Sequence, residues 1–275
     1  IETLMSCELW LPCTSATTAM QYRRILDAAA VRTGTAPEFV NWQGHDFSFR
    51  GMEGVEAAMK SGAAHLLFFT GTDTIPALDW IEKYYGPLPA DYLIGGSVAA
   101  TEHSVMCAGG ESGELETIGR LLDLYPNGVL SVVSDTWDLW NVLTNILPPL
   151  RDRIMTRNGT YVTRPDSGDP VKIICGDPDA ADDTPERKGV VELLWDTFGG
   201  TLTTTGHKLL DSHVGSIYGD SITTDRAEAI THGLEAKGFA SGNVIFGIGS
   251  FTYQHVTRDT YGFAMKATWV GIDGE

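Results

Sequence analysis

Five apolar runs in this chain each end in a cluster of glycine, acidic and hydroxyl residues, and that recurrence constrains the fold more than any other feature. The clusters are Phe69-Thr-Gly-Thr-Asp73, Val133-Ser-Asp135, Arg164-Pro-Asp166-Ser-Gly168, Tyr218-Gly-Asp220 and Phe246-Gly-Ile-Gly-Ser250. The runs read as strands at 64–69, 129–133, 160–163, 214–218 and 244–246, with a further strand-like run at 263–270. Amphipathic helical patterns occupy 52–61, 74–84, 114–125, 136–147, 185–198 and 224–237. Alternation of this kind is the signature of β/α units around a largely parallel sheet. An earlier helix is expected to follow Thr14 and Ser15 as N-caps and to end at Gly34. The acidic, proline-containing segment 176–187 reads as a solvated loop.

In a β/α barrel the C-terminal strand ends share one rim, so Asp73, Asp135, Asp166 and Asp220 converge although they are far apart in sequence. Taken singly, each aspartate is as well explained as the cap of the helix that follows. Four together call for a cation or hydrogen-bond donors, because like charges crowded in one site repel. Mg²⁺ and the hydroxyls of a ribose are suitable guests, and a Mg²⁺ ion held by one or two carboxylates completes its shell with substrate phosphates and water. Gly247 and Gly249 let backbone N–H groups approach a phosphate, and Arg50, Arg164, Arg258 and Lys266 supply positive charge. His103, in Thr101-Glu-His103-Ser104, has a carboxylate neighbour. Alone it reads more readily as structural than as catalytic. No HxH or HExxH spacing points to zinc, and there is no Walker loop.

The formal charge of -17 over 275 residues argues against a nucleic-acid surface, and no run is long enough to span a membrane. The start lacks the basic stretch of a signal peptide, so a cytoplasmic location is expected. Cys7, Cys13, Cys107 and Cys175 are scattered and are expected to be reduced and mostly buried. The chain begins at Ile1 and stops at Glu275 just after a strand-like run, which reads as a fragment.

Six stretches, in order and in register, closely resemble the nicotinamide phosphoribosyltransferase family: His45-Asp-Phe47-Ser-Phe-Arg50-Gly51, Gly71-Thr-Asp73-Thr74, Ala100-Thr-Glu-His103-Ser104, Ser131-Val-Val-Ser-Asp135, Arg164-Pro-Asp166-Ser-Gly168 and Thr257-Arg258-Asp259. The run Phe246 to Gln254 resembles the bacterial and phage branch. The resemblance implies an irregular β/α barrel of the type II phosphoribosyltransferase kind beside part of a smaller α/β domain. It places residues 1–40 in a flanking N-terminal region, 41–262 in the barrel and 263–275 at the start of a return to the smaller domain.

By the same resemblance, Phe47 stacks on a pyridine ring, Asp73 accepts from a carboxamide NH₂, and Arg164 borders the base. Asp135, Asp166, Gly219 and Asp220 lie near ribose and Mg²⁺-pyrophosphate, with Asp135 and Asp166 as the metal-side carboxylates. Arg50 lies near the pyrophosphate, and Gly249, Ser250, Arg258 and Lys266 surround the 5′-phosphate. His103 matches a histidine phosphorylated by ATP, a coupled co-substrate. The implied reaction joins nicotinamide to phosphoribosyl pyrophosphate, giving nicotinamide mononucleotide and pyrophosphate for NAD biosynthesis, in a homodimer with its sites at the interface. The alternatives are a nicotinate-specific enzyme of the same fold, a barrel glycosidase using two rim carboxylates, and a non-catalytic nucleotide-binding homologue.

Overall fold

The computed structural model describes residues 1–219 and 221–272. Seven strands form one parallel sheet in the order β2-β1-β9-β8-β5-β4-β3. They are β1 (Gly44–Asp46), β2 (Gly71–Thr72), β3 (Ala99–Ala100), β4 (Leu130–Val133), β5 (Tyr161–Arg164), β8 (Val214–Tyr218) and β9 (Val244–Ile248). An antiparallel hairpin, β6 (Gly200–Leu202) with β7 (Lys208–Leu210), stands apart. A parallel bridge from Gly71 to Gly96, just ahead of β3, brings the two ends of the sheet together. The sheet therefore curls round on itself, as expected of an irregular β/α barrel.

Helices cover the outside: α1 (Glu2–Thr33), α2 (Pro37–Gln43), α3 (Val55–His65), α4 (Pro76–Tyr85), α5 (His103–Gly109), α6 (Glu114–Leu124), α7 (Leu139–Asn141), α8 (Leu147–Met155), α9 (Pro170–Cys175), α10 (Pro185–Lys188), α11 (Val190–Phe198), α12 (Thr224–Ala236) and α13 (Ser250–Gln254). The strands are buried almost throughout, and β4, β5, β8 and β9 supply most of the apolar side chains of the sheet. Leu130, Val132, Val133, Tyr161, Phe246 and Ile248 are all buried.

Helix α1 begins about twelve residues earlier than its sequence signals suggest. Thr14 and Ser15 are buried inside it rather than capping it, and Pro12 is carried within the helix. Tertiary packing outweighs the local signals: Ala19, Tyr22, Leu26, Ala29 and Ala30 form a buried stripe at helical spacing, and α1 lies against α3 and α12. The Tyr22 hydroxyl donates to the Ile222 carbonyl at 2.7 Å. Gly34 does end the helix, in the left-handed conformation at φ 70° that glycine adopts without a Cβ penalty.

Three further expectations are corrected. The run 64–69 is no strand: α3 continues to His65 and the strand is the two-residue β2. Leu66 and Phe69 are apolar because they pack in the core, and such a run cannot be assigned to helix or strand by periodicity. Residues 263–270 form no strand, and most of their side chains are exposed. Cys7, Cys13 and Cys107 are exposed, and only Cys175 is buried; all four are free.

Glu114, at the first turn of α6, is almost wholly buried, and its Oε1 has no hydrogen-bond partner among the described residues. Burial, with Asp138 and Glu111 adding repulsion, pushes its carboxyl up to about 7. A carboxyl raised in the folded state contributes stability that is complete below its unfolded value near 4.5 and is lost as pH rises through 7. Glu114→Gln is therefore expected to flatten the pH dependence of thermal unfolding. The drop in Tm between pH 5 and pH 8 should shrink by a few degrees, at roughly 2–4 °C per kcal/mol for a domain of this size.

Candidate active site

A cavity of about 170 Å³ opens at the C-terminal ends of the strands, lined by Phe47, Phe49, Arg50, Asp73, Glu102, Arg164, Asp166 and Gly219. A larger one, about 390 Å³, lies at the opposite ends, but its lining is mostly apolar and Asp211 is its one charged residue. Convergent polar groups distinguish a binding site from a packing defect, so the smaller cavity is the candidate.

Phe47 follows β1, and its N–H donates to the Ile248 carbonyl at 2.9 Å. Its ring lies on Gly247, where an added Cβ would come within 2.6 Å of the ring, so Gly247 serves the packing of Phe47. The Arg164 guanidinium sits 5.8 Å from the ring centroid on the cavity side. Asp73 follows β2, with its N–H donating to the Asp46 carbonyl. Its Oδ1 accepts from His45 Nε2 at 2.8 Å and Ser97 Oγ at 2.5 Å. Burial works against ionisation of Asp73, but His45, Ser97 and the Arg164 charge together hold its carboxyl below the usual range.

Below Phe47 and Asp73, the fully buried Asp46 accepts from the Ser48 N–H at 2.9 Å and from Thr72 Oγ1 at 3.3 Å. His65, also buried, contacts the Tyr253 hydroxyl at 2.8 Å. Its burial lowers its proton affinity. This polar floor fixes β1 to β2.

On the other wall, Asp135 lies two residues past β4 with only 6% of its side chain exposed. Its Oδ2 accepts from the Asp166 N–H at 2.8 Å and from Ser167 Oγ at 2.5 Å, and its Oδ1 faces His103 Nε2 at 3.2 Å. His103 opens α5 and is part exposed. Arg164 Nη2 reaches Asp166 Oδ2 and Glu102 Oε2, each at 3.3 Å, and Glu102 also faces Arg50 at 3.7 Å. Burial first, then the nearby Asp135, raises the Asp166 carboxyl against the opposing pull of Arg164 and His103.

The aspartates that follow strands β4 and β5, Asp135 and Asp166, are not helix caps. Asp138 and Asp169, three residues further on in each case, accept from the first helical N–H groups instead. That leaves Asp135 and Asp166 free to face the rim. Asp166 Oδ1 is buried without a hydrogen-bond partner among the described residues, and Gly219 lies so close to it that any side chain there would displace it. No group of three or more acidic, histidine or cysteine side chains among the described residues is arranged to hold a metal. One unpartnered carboxylate oxygen still fits a Mg²⁺ ion whose other ligands are phosphate and water.

The structure thus brings Phe47, Arg50, Asp73, Arg164, Asp166 and Gly219 to one cavity, with Asp135 and His103 beside it. Gly249 precedes α13, and the Ser250 hydroxyl abuts Gly51, next to Arg50. Arg258 is exposed and paired with Asp259 at 2.8 Å, and Lys266 is exposed 3.8 Å from Glu2; neither lines the cavity. Asp220 lies outside the described residues. Glu102, Phe49, His45 and Ser97 did not stand out in the sequence. Three of them sit inside or beside quoted motifs, while Ser97 reaches Asp73 only because the Gly96 bridge closes the sheet.

The sequence as a whole also resembles that of known proteins. The chain is 56% identical to a nicotinamide phosphoribosyltransferase of Acinetobacter baylyi, over 100% of this chain and 55% of that protein. It is 41% identical to one of Mycoplasma pneumoniae, over 97% of this chain and 56% of that protein. A third, of Xanthomonas campestris, is 34% identical over 100% of this chain and 55% of its own length. The chain therefore spans about half the length of the curated relatives it matches. No helix among the described residues is long and apolar enough to cross a membrane. Residues 42–275 match the family profile itself, and with Phe47, Asp73, Asp166 and two arginines lining one cavity, the chain belongs to the nicotinate phosphoribosyltransferase (NAPRTase) family.

Proposed function

We propose that the protein transfers a phosphoribosyl group from phosphoribosyl pyrophosphate to nicotinamide, in NAD salvage. The observation that carries the choice of base is Asp73, an ionised carboxylate on the cavity wall beside Phe47. It accepts from an amide and repels an acid. The family description names nicotinate, the relatives are named for nicotinamide, and Asp73 favours the second.

In this reading the base lies between Phe47 and Arg164, with its ring nitrogen directed at the ribose C1. Fixing nucleophile and leaving group in line lowers the entropic cost of displacement. Asp135 and Asp166 stabilise the positive charge that develops on the sugar as pyrophosphate departs. Mg²⁺, held at the Asp166 edge with Asp135 behind it, would supply countercharge to pyrophosphate. Arg50 takes phosphate oxygens, and the Gly249–Ser250 turn with Arg258 and Lys266 takes the 5′-phosphate, the last two in a homodimer whose second subunit reshapes the site. His103, oriented by Asp135, accepts a phosphoryl group from ATP and couples its hydrolysis to product formation.

The test is an assay of nicotinamide mononucleotide formation by the polypeptide at its full encoded length, with either base and with or without ATP. Product from nicotinamide, with an ATP enhancement abolished by His103→Ala, is expected. Preference for nicotinate would overturn the reading.

Glu102 occupies both arginines where an anionic substrate would bind. Glu102→Gln is expected to tighten pyrophosphate binding roughly two- to fivefold in calorimetry, since an exposed ion pair is worth at most about 1 kcal/mol.

A further inference from the structure

We infer that His45 and Ser97 are the positioning residues for base selection: both occupy Oδ1 of Asp73 and so leave Oδ2 as the oxygen offered to the base. This rests on the reading of Asp73 as the carboxamide acceptor. A carboxylate oxygen carries two lone pairs, and Oδ1 already takes His45 Nε2 at 2.8 Å and Ser97 Oγ at 2.5 Å. An ionised carboxylate only accepts, so Nε2 carries the proton of that contact.

The His45 ring cannot easily turn away. It is buried, and it packs against Phe47 with the ring centroids 4.7 Å apart. On its other side is Gly71, its register partner in the β1–β2 ladder, where an added Cβ would stand 2.7 Å from Nδ1. One imidazole therefore touches both the side chain that stacks on the base and the side chain that selects it. Ser97 comes from the neighbouring segment, between the Gly96 bridge and β3. His45 on β1, with Asp73 just after β2 and Ser97 between the Gly96 bridge and β3, sets the direction of Oδ2, and each position is tied to the sheet by a ladder or bridge contact next to it.

The test compares kcat/KM for nicotinamide and nicotinate, with each base's Kd from competition binding, in the full-length protein. His45→Phe keeps a ring but removes the donor, His45→Gln keeps a donor at the reach of Nε2, and Ser97→Ala removes the second donor from an exposed position. His45→Phe and Ser97→Ala are each expected to lower the nicotinamide-to-nicotinate ratio at least about tenfold, with the KM for phosphoribosyl pyrophosphate unchanged and the ratio largely restored in His45→Gln. Equal losses for both bases, with the ratio intact in His45→Phe and Ser97→Ala, would overturn the inference; should His45→Phe fail to fold, Ser97→Ala decides it alone. A ratio unmoved in Asp73→Asn would instead sink the underlying reading of Asp73.

Discussion

Asp73→Asn should erase most of the discrimination between nicotinamide and nicotinate. In the unsubstituted protein a nicotinate carboxylate would meet a second negative charge across the cavity. At ~4 Å and an effective dielectric of ~20 that repulsion is roughly 4 kcal/mol, about a thousandfold in preference. Asp73 is 45% exposed, so solvent screening reduces the figure and a loss of about a hundredfold in the ratio is the working expectation. Held by His45 and Ser97, the asparagine oxygen takes the Oδ1 place, so its NH₂ faces the base, where it donates to an acid and no longer accepts from an amide NH₂; the ratio should fall through a gain in nicotinate use together with a loss in nicotinamide use. Steady-state kinetics with each base at saturating phosphoribosyl pyrophosphate would show it. A variant that loses both activities equally would mean that Asp73 supports the fold of the wall rather than the choice of base.

The rim was legible in the sequence because its chemistry sits at fixed offsets from apolar runs. Where a run really is a strand, as at 130–133, 161–164 and 214–218, the residues just after it reach the cavity or its edge. The same logic placed Asp73 correctly from a wrong premise: residues 64–69 are the end of a helix and a turn, yet the chain still enters the sheet before Asp73. Short strands escaped because two or three residues carry no periodicity. Gly44–Asp46 and Ala99–Ala100 became visible only through their ladders. Single aspartates could not be told from helix caps until the structure showed Asp138 and Asp169 capping instead. The contacts of His45 and Ser97 with Asp73 were beyond sequence reasoning for a different reason. The first depends on the pairing of β1 with β2 and the second on the closure of the sheet at the Gly96 bridge, long-range contacts that no local pattern encodes. Arg258 and Lys266 illustrate the reverse case: the resemblance singles them out, but within this chain they are occupied by Asp259 and Glu2 at the surface.

The second large effect is expected at Asp135, which joins the loop after β5 to the start of α5. One oxygen holds the loop after β5 through the Asp166 N–H and Ser167 hydroxyl, and the other faces His103. Removing a preorganised group of this kind commonly lowers turnover by about 10²–10³. Asp135→Ala is expected to fall at least that far, because the loop carrying Asp166 loses its anchor and Asp166 loses its place beside Gly219. Asp135→Asn separates the two duties. Its side-chain oxygen can still accept from the Asp166 N–H, but its NH₂ cannot accept from His103 and its charge is gone. If anchoring the loop dominates, Asp135→Asn should retain most of the ATP-independent rate while losing the ATP enhancement, as His103→Ala does. If the charge itself stabilises the reacting ribose, Asp135→Asn should fall as far as Asp135→Ala even without ATP, whereas His103→Ala keeps its basal rate. Rates of the three variants measured with and without ATP therefore assign each oxygen of Asp135 to its task.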